Sequence, residues 1–137
     1  MSLISNTISN VATTADNHPD AFWQTRRFAS TLADARRIIE QIVPTQTTYT
    51  RRWQHIETRE LFDDNNARPV GFDIIIEVPV VIFTDDLIAT VKRNESDSNI
   101  TVAVRSASRI GRHDFGENRR HIKQFLRALD EKIVDSG

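Results

Sequence analysis

The chain predicts an α+β two-layer sandwich, an antiparallel sheet of about four strands covered on one face by two helices. Three observations carry that class. Phe72, Ile74, Ile76, Val78, Val80 and Ile82 alternate with a more mixed register, as on a strand with one buried face. Leu32, Ala35, Ile39 and Ile42 recur at helical spacing until Pro44 stops the pattern. Ile122, Phe125, Leu126, Leu129 and Ile133 form a second single apolar stripe.

Taken in order, residues 1–28 are rich in Ser, Thr and Asn and carry the turn-like Asp16-Asn-His-Pro-Asp20 before Phe22, Trp23 and Phe28. This predicts an irregular amino-terminal arm packing its aromatics onto a single domain of residues 29–137. Thr31, three residues before Asp34, opens a helix over 31–43 in the manner of a capping box. β-Branched and aromatic residues over 47–57 predict a strand, and Asp63 to Pro69 a loop. The alternating run 72–82 follows, with Pro79 pointing to a bulge or an edge. A turn at Thr84-Asp-Asp86 leads to a strand over 87–92, and a polar hairpin at 93–99 leads to another over 100–105. Asp114 and Glu117 then cap the last helix.

Composition narrows the chemistry. The 137 residues suffice for one core without staples. With 18 Lys+Arg against 19 Asp+Glu, the charge balance gives no general reason to expect nucleic acid or a membrane as partner. No cysteine is present, so disulfides, thiolate zinc sites and cysteine nucleophiles are excluded. The first 17 residues show no basic leader and no window approaches the roughly 18 apolar residues of a membrane span, so a cytoplasmic, soluble protein is expected. Asn94-Glu-Ser96 and Asn99-Ile-Thr101 match the glycosylation pattern within a polar turn.

Polar chemistry concentrates between Arg105 and Ile122. Residues 105–120 hold five arginines against Asp114 and Glu117, a local charge of +3, and run into a helix amino terminus where anions are favoured. At about 100° per residue, Asn118 and Arg119 fall on the core-facing half of that helix, whereas Arg120 and Lys123 face solvent. Two readings follow. In one, Arg105, Arg109 and Arg119 bind an anionic small molecule, Ser106, Ser108 and Asn118 orient it, and Asp114 or His113 acts as acid or base without a cofactor, in an isomerase, lyase or cyclase. In the other, the same residues form a satisfied structural network in a noncatalytic module, with Gly111 and Gly116 supplying turn conformations and Ile75, Val81 and Phe83 meeting a protein partner or a second copy.

Other groups point elsewhere. His113 and His121 lack metal spacing and read as solvated, so no metal is expected. Ser106 or Ser108 with His113 and Asp114 has the residue types of a triad, but adjacent His and Asp cannot easily orient one another. Asp85 and Asp86 read as turn residues. Tyr49 and Arg51-Arg-Trp53 mix base and aromatic, but the acids Glu57, Glu60, Asp63 and Asp64 follow, so no nucleic acid is expected.

Phe83-Thr-Asp-Asp86, Val104-Arg-Ser-Ala-Ser-Arg-Ile-Gly111 and Asp114-Phe-Gly-Glu-Asn-Arg-Arg-His-Ile122 resemble the signature of the family catalogued as domain of unknown function 1499. The segment Asn10-Val-Ala-Thr-Thr14 also resembles that family's amino-terminal motif, with Val11, Thr13 and Thr14 in place of its usual cysteine and serines. The resemblance implies the α+β domain and marks Arg105, Ser106, Ser108, Arg109, Asp114, Asn118 and Arg119 as motif positions. It implies no agreed activity.

Overall fold

A computed structural model describes residues 11–65, 67–94, 96, 98–109 and 116–136. Helices α1 (Leu32–Ile42) and α2 (Glu117–Ser136) lie on one face of an antiparallel sheet whose long strands are β5 (Gln54–Leu61), β6 (Gly71–Val80), β7 (Phe83–Arg93) and β8 (Ile100–Ser108). The α+β sandwich read from the sequence is therefore the fold.

The two periodicities build the core. Phe72, Ile74, Ile76, Val78 and Val80 face the helices from β6, and Leu87, Ala89 and Val91 continue that face on β7. Ile122, Phe125, Leu126 and Leu129 of α2 are fully buried against them. Each such side chain contributes about 1.5–3 kcal/mol on leaving water. Thr31 caps α1 by accepting the Asp34 N–H at 3.1 Å. Gly71 opens β6 because a Cβ there would meet the Val91 carbonyl oxygen at 2.3 Å, so only glycine lets β6 and β7 approach.

The sheet is wider than expected, with six strands among the described residues. The segment read as an irregular arm contributes β1 (Val11–Thr13) and β2 (Arg26–Phe28), both antiparallel to β8. β1 covers Arg105–Ala107 and β2 covers Ile100–Val102. Thr14 closes the gap between them: its N–H donates to the Val104 carbonyl at 2.9 Å and its Oγ1 accepts the Val104 N–H at 3.0 Å. Arg26, in turn, grips Asp130 of α2 through two hydrogen bonds of 2.8 and 3.0 Å. Alternation alone misses these strands, because three residues are too few to show a period.

Two boundaries also shift. Residues 47–57 are not one strand: β3 (Thr47–Thr48) and β4 (Arg51–Arg52) form a hairpin through Tyr49 and Thr50, both at positive φ, and β5 starts after the buried Trp53. The turn expected at Thr84-Asp-Asp86 lies instead at Val81-Ile82, because Val80 pairs with Phe83. Asp85 and Asp86 are strand residues of β7, and Ile82, read as core, is 85% exposed. Pro79 sits past the last β5 partner, where Gln54 meets Glu77, so it occupies an edge position.

Candidate functional site

The signature segments meet at one end of the sheet, where the carboxyl end of β8, the start of β7 and the first turn of α2 come together. Strand alternation divides their side chains between two faces. Ser106 and Ser108 face the helices. Arg105 and Arg109 share the opposite, uncovered face with Asp86 and Glu77.

On the covered face Asn118 is 0% exposed and bridges both serines. Its Oδ1 accepts the Ser106 hydroxyl at 2.6 Å, and its Nδ2 donates to Ser108 Oγ at 3.1 Å. Beside this trio the His121 Nε2–H donates to Asp85 Oδ2 at 3.1 Å, with His121 1% and Asp85 0% exposed. Glu117 lies one helical turn earlier, its Oε2 3.7 Å from the same nitrogen, so the imidazole sits between two carboxylates. Trp53 packs edge-on to the ring, and its Nε1–H donates to Thr48 Oγ1 at 3.3 Å. Tyr49 donates its phenolic hydrogen to Glu117. Burial pushes the Glu117 carboxyl up, but the hydrogen bonds from Tyr49 and Arg120 and the charges of Arg120 and His121 outweigh it and hold the group below the ordinary carboxylate range. Gly116, at φ 83°, makes the turn into α2 and accepts the Arg120 N–H at 3.1 Å.

The uncovered face carries a second cluster. Arg109 donates to both oxygens of Asp86, at 2.9–3.1 Å, and to Glu77. Hydrogen bonds to Asp86 and then Glu77 raise its pKa above the ordinary arginine value. Next to it Arg51, Arg52, Gln54, Glu77, Pro79 and Thr84 line an open cavity of about 340 Å³.

The three arginines expected to share an anion do not converge. Arg105 is exposed on the uncovered face, Arg109 is held by two carboxylates there, and Arg119 stands on α2 with its guanidinium 4.1 Å from the Trp23 ring centroid. Arg119, placed on the core-facing half by the helical wheel, is exposed because it covers the aromatic of the amino-terminal segment. Ser106, Ser108 and Asn118 do meet. His113, Asp114 and Gly111 lie outside the described residues. Ile75 and Phe83, read as one contact surface, lie on opposite faces of the sheet, as the register of β6 and β7 requires.

Sequence reasoning reads Asp85 as a turn carboxylate able to approach the cluster, Glu117 as a helix cap and His121 as solvated, and does not place Tyr49 or Trp53 here. The signal for two of them was present: His121 is three residues after Asn118 and four before Phe125, on the buried stripe, and Asp85 shares the register of Leu87, Ala89 and Val91. Among the described residues no group of His, Asp and Glu is arranged to hold a metal ion, and no helix is long and apolar enough to cross a membrane.

No curated protein and no solved structure matches the chain significantly. A family model described as a protein of unknown function does match, over residues 3–129, and so spans every element just described up to the last turns of α2. The chain thus belongs to the family of proteins of unknown function designated DUF1499.

Proposed function

We infer that this domain is a noncatalytic binding module in which the signature locks one end of the sheet and the adjoining hairpin end meets the partner. The observation that carries this is the mutual satisfaction of the buried groups: Ser106, Asn118 and Ser108 bond one another, and His121 bonds Asp85. Such a network rigidifies a fold. Outside it, Arg51, Arg52, Gln54 and Thr84 line the cavity at the hairpin end. The test is thermal stability of wild type, Arg109→Ala and Asn118→Ala across a panel of carboxylates, phosphates and metabolite extract. Asn118→Ala should melt well below wild type, and no ligand shift should depend on Arg109. A wild-type shift that Arg109→Ala abolishes without unfolding would sink this reading.

The cavity lined by Arg51, Arg52 and Gln54 favours one second reading, a site for an anionic small molecule, of the kind a cofactor-independent isomerase, lyase or cyclase would need. Its arginines are then Arg51 and Arg52 rather than Arg105 and Arg119. On that reading a phosphate- or carboxylate-dependent shift disappears in Arg52→Ala and persists in Asn118→Ala.

A further inference from the structure

Two hairpin tips stand side by side at the signature end, and both are built from residues that such turns normally avoid. The β6–β7 turn is Val81-Ile82, with Val81 at φ 53° and 58% exposed and Ile82 85% exposed. Two-residue hairpin turns favour Asn, Asp and Gly, which tolerate positive φ; a β-branched residue there is strained. The β3–β4 turn is Tyr49-Thr50, at φ 50° and 66°, with Tyr49 50% exposed. Arg51 donates to the Val81 carbonyl and Thr48 Oγ1 to that of Pro79 at 2.6 Å, so the two tips are fastened together. Arg51 and Arg52 are exposed at their base and line the cavity beside them. The nearby carboxylates Glu77 and Asp86 are matched by Arg109.

We propose that this end of the molecule docks on an anionic membrane surface, with Val81, Ile82 and Tyr49 entering the boundary between headgroups and acyl chains and Arg51 and Arg52 contacting lipid phosphates. The proposal rests on the binding-module reading and names its partner. Val81 and Ile82 are aliphatics held 58% and 85% exposed, and an apolar surface that covered them would gain the free energy of removing them from water. Tyrosine at the rim and arginine opposite phosphate are the residue types that a headgroup layer accepts. The near-neutral charge of the whole chain conceals this local pairing of apolar tip and basic base.

Flotation of the full chain with phosphatidylcholine vesicles, with and without phosphatidylserine, tests it. Wild type should float with the anionic vesicles and less with neutral ones. Val81→Gly combined with Ile82→Asn puts glycine at the positive-φ position of the turn and a polar residue after it, so this variant should melt at or above wild type while losing vesicle affinity on the order of a hundredfold. Arg51→Gln with Arg52→Gln should lose on the order of thirtyfold on anionic vesicles only. Failure of wild type to float, equal flotation of the tip variant, release by millimolar inorganic phosphate alone, or self-association that the tip variant abolishes would each overturn the proposal. If flotation fails while Asn118→Ala still melts low, the lipid inference falls and the structural reading of the signature stands.

Discussion

Replacing Asn118 with alanine is the perturbation that most directly weighs a lock against a ligand site. The amide makes hydrogen bonds of 2.6 and 3.1 Å to Ser106 and Ser108 in a fully buried position. Two such bonds are worth about 1 kcal/mol each net, and the Ser106 hydroxyl, itself 0% exposed, would lose its acceptor at a further cost of about 1–3 kcal/mol. Alanine returns roughly 0.5 kcal/mol through its better helix propensity. The expected loss is therefore about 3 kcal/mol, which for a chain of this size lowers Tm by roughly 10 °C. Urea unfolding should show the midpoint falling with an unchanged slope. Ser106→Ala alone should cost about 1–2 kcal/mol, but added to Asn118→Ala it should recover part of the loss, since it removes the hydroxyl left without an acceptor. A loss under about 1 kcal/mol for Asn118→Ala, or full additivity with Ser106→Ala, would refute the lock.

Four further outcomes follow from the geometry. Arg109→Ala should cost no more than about 1 kcal/mol in thermal unfolding, because the side chain is 45% exposed and its ion pairs lie at the surface. His121→Phe keeps the ring volume but removes the imidazole from Asp85, and should lose about 1–3 kcal/mol by urea denaturation, the cost of a buried hydrogen bond left unmade. Glu117 has a depressed pKa, so its contribution to stability is fully present above the unfolded value near 4.5 and is lost as pH falls through the lower folded value; Glu117→Gln should flatten that acid limb in pH-dependent melting. Gly71→Ala should destabilise by several kcal/mol and raise hydrogen exchange at the β6–β7 pairing beside Val91, because the added methyl meets backbone that cannot yield.

What the sequence disclosed follows from how far apart the cooperating residues are. The β6 alternation, the α1 cap and the α2 stripe are local patterns, and they survive in the fold because tertiary packing reinforces them. The trio of Ser106, Ser108 and Asn118 was legible as a group because twelve or fewer residues separate its members. The pairing of Asp85 with His121 spans 36 residues, and each partner has a plausible local role, a turn carboxylate and a solvated histidine, that hides the other. Arg105 and Ser106 are neighbours in sequence yet opposite across the sheet, so a cluster of arginines in one segment did not become a cluster in space. The Val81-Ile82 tip was illegible for the converse reason: its residues carry strand chemistry, and only the register of Val80 with Phe83 reveals a turn.

The placement of β1 and β2 bears on how the chain is made. Both lie against β8, so residues 11–13 find their partners only when residues 105–107 have been synthesised. At about 5–20 residues per second the gap is roughly 5–20 s, during which the nascent first strand has nothing to pair with and the apolar faces of β6 and β7 wait for α2. Closing so long a loop is also the slow kind of contact in folding from denaturant. The seam along β8 thus shuts only after most of the domain has been made, and the Arg26–Asp130 clasp, which needs α2, closes later still.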